Sequence, residues 1–236
     1  MKIVYIDPVG GVSGDMLCAA LLDLGIDVDL WLNDLNKLAL PNWKVRIWKE
    51  TRGAFMAKRL VFEPKHRYET PGHPLMESWD KDHRYYLDIV TLINESELND
   101  GVKANALSVF QQLAEAESGI HGIAIESVHF HEVGAVDSIL DIVGFCIGLD
   151  LLNIKGVFNG PLPMSSGFIN GAHGKIPLPS PATLSLLKGR KLREGIENQE
   201  QVTPTGAAII GALSLDSRFP ECTLSSVGYG AGTRNP

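Results

Sequence analysis

The run GAVDSILDIVGFCIGLDLL, residues 134–152, constrains the fold more than any other stretch of the chain. Ala135, Val136, Ile139, Leu140, Ile142, Val143, Phe145, Cys146, Ile147 and Leu149 cover most of the circumference of a helix. A helix that is apolar nearly all round is a buried one, so the rest of the chain has to cover it on most sides. One stripe differs. Gly134, Asp137, Asp141, Gly144 and Gly148 recur at spacings of 3, 4, 3 and 4, which keeps them on one face. No large side chain stands there, so the stripe reads as a trough holding two carboxylates. Like charges at i and i+4 repel, and burying them unpaired is costly. A metal, another cation or donors from elsewhere in the fold are expected to offset them. The plainer alternatives are internal Arg or Lys partners, or exposure of this face to solvent.

The residues just before the helix add imidazoles. ESVHFHEV alternates and predicts an extended segment, with His129 and His131 on one side and Phe130 facing the core. Two histidines at this spacing bring two ring nitrogens together. Glu132 faces the other way and joins them only if the chain turns there. Imidazole with carboxylate suits borderline divalent ions such as nickel, zinc or iron. Two histidines at the edge of a core are the alternative.

Two helix starts are candidate ligand sites. KIVYI reads as a strand running through the Gly-rich turn DPVGGVSGD into the helical pattern MLCAALLDLG, with Leu17, Ala20, Leu21 and Leu24 on one face and Gly25 as its stop. Gly10, Gly11 and Gly14 allow a ligand close to the backbone, Ser13 is placed to cap the helix, and free N–H groups there attract phosphate. Asp7 and Asp15 suit a metal or a ribose. The turn is neither GxGxxG nor a P-loop, and a plain tight turn explains it as well. In VTPTGAAII, Thr203 is the expected N-cap, Pro204 the first helical residue, and Thr205 and Gly206 complete the start. Capping and anion binding are equally served by it. In GAHGKIPLP, His173 stands between small residues, where an imidazole is open to solvent or ligand.

Elsewhere the pattern is mixed. A helix is expected near 28–38 with Asp27 as N-cap, a strand pair at WKVRIW and KRLVFE, and two helices over 84–118 with Val102, Ala106, Val109 and Leu113 as the stripe of the second. Residues 64–83 hold Pro, Gly, His and charge without a period and read as a mobile loop. Residues 157–181, rich in Pro and Gly, are expected to be irregular or short-stranded, and a short helix is expected at PATLSLLKG. The expected fold is α+β or α/β, a mixed sheet with several packed helices in one domain spanning 1–236. With 44% hydrophobic and 21% charged residues the chain reads as globular, and its formal charge of -7 excludes a general basic field for nucleic acid or anionic membrane. No apolar run is long enough to span a membrane. Three scattered cysteines, Cys18, Cys146 and Cys222, with no CxxC, fit a reduced, cytoplasmic protein.

Five stretches taken together, DPVGGVSGDMLCAALLDLG, EAESGIHGIAIESVHFHEVGAVDSILDIVG, PLPMSSGFINGAHGKIPLPSPATLSLLKG, VTPTGAAII and GYGAGTR, resemble in order the N-terminal part of the LarC family. The resemblance implies a nickel chelatase or cyclometallase of the lyase class. Its reaction is the CTP-dependent insertion of Ni²⁺ into pyridinium-3,5-bisthiocarboxylic acid mononucleotide, forming two Ni–S bonds and one Ni–C bond of the lactate racemase cofactor. It further implies a C-terminal half that binds CTP with Mg²⁺ or Mn²⁺, beyond the GTRNP at which this sequence stops, and the lactate racemase apoprotein as a partner. Association of copies with one another stays open. Many members carry a histidine-rich tract where this chain has only His66, His73 and His83, so nickel storage by that loop is not implied. The residues put forward for the chemistry are Asp137, Asp141 and Glu132 as catalytic groups. His129, His131, Asp137 and His173 are put forward for the metal, and Gly10, Gly11, Ser13, Gly14, Asp15, Thr203, Thr205 and Gly206 for the nucleotide. Two other readings remain: a nickel-delivery module without chemistry, and a metal-dependent phosphohydrolase.

Overall fold

A computed structural model describes residues 1–65, 84–130, 136–171, 174–216 and 218–233. The chain opens on β1 (Ile3–Ile6), passes the Gly-rich turn and enters α1 (Gly14–Asp23) and α2 (Val28–Asn36). Asp27 caps α2 as expected, its Oδ1 accepting from the amides of Asp29 and Leu30. The hairpin β2 (Trp43–Arg52) and β3 (Phe55–Pro64) follows, antiparallel throughout, with Trp43 opposite Pro64 and Arg52 opposite Phe55. Then come α3 (Tyr86–Glu95), α4 (Asp100–His121) and the buried helix α5 (Val136–Leu151). The last third holds β4 (Gly156–Asn159), β5 (Leu162–Ser166), β6 (Phe168–Gly171), β7 (Gly174–Pro177), α6 (Pro181–Leu186), β8 (Leu192–Glu197), α7 (Pro204–Leu213), β9 (Ser214–Asp216) and β10 (Gly230–Ala231).

The fold is α+β. Its strands form small separate sheets: parallel β1-β4-β9, mixed β10-β3-β2, parallel β5-β8 and antiparallel β6-β7. Helices wrap α5. It packs against α1, α2, α4, α7 and β3, and Val136, Ile139, Leu140 and every residue from Ile142 to Leu149 are buried. The stripe on α4 is buried at all four expected positions. ESVHFHEV is not one extended segment: Ile125–Ser127 forms a 3-10 turn, and His129 then makes an isolated antiparallel bridge to Tyr85. Phe130 does face the core, at 1% exposure. Among the described residues no helix is long and apolar enough to cross a membrane. The loop expected at 64–83 falls almost wholly outside the described residues.

The small-residue stripe of α5 turns out to be, over most of its length, a groove for α1 and α2. A Cβ on Gly144 would meet Trp31 Cζ2 at 2.7 Å, and one on Gly148 would meet Leu21 Cδ1 at 2.8 Å. The Trp31 indole, fully buried, fills the space and donates from Nε1 to the Gly144 carbonyl at 2.8 Å. Missing side chains therefore let the helices approach rather than leave a trough. Only the N-terminal end of the stripe, at Asp137 and Asp141, stays open.

Candidate functional site

That open end is where three helix starts meet. Residues Gly11–Ser13 and Gln201–Thr203 run side by side. The Val12 amide donates to the Gln201 carbonyl at 2.7 Å, and the Thr203 amide donates back to the Val12 carbonyl at 3.1 Å. The exchange pins the start of α1 beside that of α7 although 190 residues separate them. Two glycines make the approach possible. Gly11 has φ +120°, and a Cβ there would meet the Gln201 carbonyl oxygen at 2.0 Å; a Cβ on Gly206 would meet the Val12 carbonyl oxygen at 2.4 Å. Gly11 and Gly206 thus bring backbone against backbone, not ligand against backbone. The Gln201 side chain adds to the clasp, accepting from the Ile196 amide at 2.6 Å and donating to the Gly10 carbonyl at 3.4 Å.

Thr203 caps α7 as expected, its Oγ1 accepting from the Gly206 amide at 3.1 Å. Ser13 stands at the N-cap of α1 but does not cap it. Its hydroxyl donates to Asp15 Oδ1 instead. The first turn of α1 faces the third helix: the Asp141 carboxylate lies so close to Gly14 that a Cβ there would meet Asp141 Oδ2 at 2.7 Å, and the Asp15 backbone favours its charged form. Gly14 is therefore the residue that admits Asp141. Cys18 Sγ donates to the Asp141 carbonyl at 3.1 Å and ties the same turn of α5 to α1.

A cavity of about 340 Å³ opens at this junction. Ser13, Gly14 and Asp15 line it from α1, Asp137, Ser138 and Asp141 from α5, and Thr203, Pro204 and Thr205 from α7. Leu60 to Phe62 of β3 and Thr233 also line it. Among these residues there is no Lys or Arg. Unsatisfied N–H groups and the positive ends of the helix dipoles favour an anion, while three carboxylates favour a cation or a proton.

The carboxylates differ. Asp137 is exposed, and its Oδ1 accepts from the Ser138 amide at 2.7 Å, so it does not share the burial expected for both stripe residues. Asp141 is half-buried as a residue, yet its Oδ1 is sealed from solvent and has no hydrogen-bond partner among the described residues. Burial, reinforced by the charges of Asp15 and Asp137, holds the Asp141 carboxyl well above its ordinary range. Asp15 is also raised by burial, against the Ser13 hydroxyl, the helix amides and Arg59. The sign of the stability effect follows. Both groups hold their protons more tightly in the folded state, so stability falls as pH rises above the ordinary carboxyl value of 3.8 towards their folded values. Asp141→Asn is expected to remove the Asp141 share. The variant should match the wild type near pH 4 and gain on it as pH rises through the range in which Asp141 ionises in the folded state, in urea unfolding; a constant offset from pH 4 upward would contradict the assignment.

The remaining candidates are elsewhere or undescribed. His129 lies against Tyr85, ring centroids 4.8 Å apart, and is not among the residues lining the cavity. Gly10 sits on the turn behind the clasp. His131, Glu132 and His173 lie outside the described residues. Among the described residues no group of three or more His, Cys, Asp or Glu is arranged to hold a metal ion. Ser138, Thr233 and the Leu60–Phe62 wall were missed by sequence reasoning; Thr233 belongs to the GYGAGTR stretch, whose alternating glycines were the available signal.

The match with known proteins is extensive. The family model described as nickel insertion protein matches residues 4–236. A relative from Geobacter metallireducens, named "Putative nickel insertion protein", is 43% identical over 238 residues, covering 100% of this chain and 58% of the relative. Relatives of the same name from Geotalea uraniireducens and Dictyoglomus thermophilum are 44% and 37% identical, again over 100% of this chain and 58% of each relative. The chain thus spans somewhat over half the length of these relatives and corresponds to their N-terminal part. No solved structure matches.

Proposed function

The chain belongs to the nickel insertion protein family, and from that premise we propose that it is the N-terminal part of a CTP-dependent cyclometallase that inserts Ni²⁺ into pyridinium-3,5-bisthiocarboxylic acid mononucleotide. Family membership supports the role in nickel insertion. The observation that carries the finer reading is the convergence of three helix starts and the half-buried Asp141 on one cavity. Ser13, Gly14, Thr203 and Thr205 hold the phosphate ester through helix-start donors. Nickel, the metal being inserted, is drawn to the carboxylate end at Asp137, with His129, His131, His173 and Glu132 as further candidate groups and Asp15 alongside.

Forming a Ni–C bond breaks the ring C4–H bond. The proton passes to a base, and the electron pair left on carbon forms the bond to nickel. A carboxylate held above its ordinary range by burial accepts a proton more readily at neutral pH than an exposed one, which selects Asp141 over Asp137. The cavity wall, with three carboxylates and no Lys or Arg among the described residues, does not fit a triphosphate. CTP with Mg²⁺ or Mn²⁺ is therefore assigned to the C-terminal half, and delivery of the product to the lactate racemase apoprotein follows insertion.

The test supplies this chain with precursor, Ni²⁺ and CTP, with and without the C-terminal half of a relative, and follows activation of lactate racemase. Activation with both halves and none with this chain alone is expected. Nickel binding without conversion even with both halves would leave a delivery module, and hydrolysis of a generic phosphate ester by this chain alone would leave a phosphohydrolase.

A further inference from the structure

Behind the cavity runs a strap that fixes where the polypeptide emerges. Gly228, Gly230 and Gly232 alternate along it and lie flush on α1. A Cβ on Gly228 would meet the Ala20 carbonyl oxygen at 2.3 Å, one on Gly230 the Met16 carbonyl oxygen at 2.0 Å, and one on Gly232 Met16 Sδ at 3.0 Å. The other side of the strap is bonded to the hairpin. β10 pairs in parallel with β3, Gly230 opposite Lys58 and Ala231 opposite Arg59, and the Lys58 amide donates to the Tyr229 carbonyl at 2.8 Å. The Tyr229 amide donates to Asp23 Oδ2 at 3.1 Å, and Arg52 Nη2 donates to the Gly232 carbonyl. Held between helix and strand, the strap delivers Thr233 to the cavity wall beside Val61 and Phe62. A polypeptide that continues past Thr233 therefore starts from the wall of the cavity.

In the relatives it does continue. Since 238 matched residues are 58% of the Geobacter metallireducens relative, roughly 170 lie outside the match, enough for a globule with a radius of gyration of about 15 Å. A body of that size, tethered where the strap leaves the cavity wall, meets the cavity as a neighbour on the same polypeptide rather than as a free partner.

We infer that the C-terminal half of the longer polypeptide docks over the mouth of this cavity and completes its wall, so that the site lies at the junction of the two halves. The inference deepens the proposed function and rests on it for the meaning of the cavity. An interface there gives groups of the C-terminal half direct access to a ligand held by the helix starts, and it excludes water from the carboxylate end.

The test is amide hydrogen exchange in the absence of nickel and nucleotide, which keeps its outcome independent of the chemistry. The chain alone is compared with the same chain continued after Pro236 by the C-terminal portion of the Geobacter metallireducens relative. Amides at the start of a helix lack intrahelical partners and exchange fast unless covered. Exchange at residues 13–16, 137–138 and 205 is expected to slow at least ~5-fold in the longer polypeptide, with residues 192–197 of β8 unchanged. Unchanged exchange at the three helix starts, or protection confined to other surfaces, overturns the inference. Protection without nickel insertion would keep the interface and remove the proposed chemistry; insertion without protection would do the reverse.

Discussion

Asp141→Asn in the longer polypeptide is expected to slow nickel insertion at least ~100-fold, the range over which a general base contributes, while Ni²⁺ affinity changes little. The same substitution should leave the melting temperature unchanged or raise it by roughly 2–4 °C, the shift that ~1 kcal/mol produces in a domain of this size. The two halves of this result come from one cause. Asp141 keeps an oxygen sealed from solvent with no hydrogen-bond partner among the described residues, beside Asp15 and Asp137, and burial holds its carboxyl well above the ordinary range. Amide in place of carboxylate ends that repulsion and still fits against Gly14. It cannot take a proton from carbon. Asp137→Asn provides the contrast: Asp137 is exposed, so its loss should weaken Ni²⁺ binding more than it lowers the single-turnover rate. Activity of Asp141→Asn within ~3-fold of wild type would remove Asp141 as the base. An unfolded variant would make its carboxylate a structural partner instead.

The second large effect is opposite in sign to helix propensity. Gly206 lies inside α7, where Ala is ordinarily better than Gly by about 1 kcal/mol. Gly206→Ala is nevertheless expected to destabilise the chain by about 2–3 kcal/mol, the cost of overpacking where the neighbours are backbone and cannot turn aside. The added Cβ would meet the Val12 carbonyl oxygen at 2.4 Å, its carbon at 2.7 Å and Ser13 Cα at 3.0 Å. Relief requires α7 to back away from α1, which breaks the exchange of hydrogen bonds between Val12 and residues 201–203 and opens the cavity. Urea unfolding measures the first consequence and nucleotide affinity the second. A variant as stable as wild type, with unchanged affinity, would mean that the two helix starts are not clasped as described.

Periodicity carried the sequence reading where structure is local. The apolar circumference of α5 announced a buried helix, and the stripe on α4, the cap at Asp27, the hairpin and the helix start at Thr203 all follow from spacing over a few residues. What lay on the stripe of α5 was only half legible. A row of small residues looks the same whether it holds a ligand or admits another helix, and only the position of Trp31 and Leu21 against Gly144 and Gly148 separates the two. Ser13 shows the same limit at shorter range, since a serine hydroxyl serves a helix amide or a neighbouring carboxylate equally, and here Asp15 takes it. The cavity as a whole was beyond local reasoning. It depends on the bridge between Val12 and Val202 and on a strap that brings Thr233 to the wall, contacts that no pattern within one segment encodes.

Where the mononucleotide binds decides whether the junction of the three helix starts is a reaction site or a structural cavity. Crystals of the longer polypeptide soaked with precursor, nickel omitted, give the answer directly. The phosphate ester is expected within hydrogen-bond distance of a backbone N–H at Ser13, Gly14 or Thr205, with the pyridinium ring carried against Asp141. A nucleotide bound elsewhere, with this cavity unfilled, would contradict it.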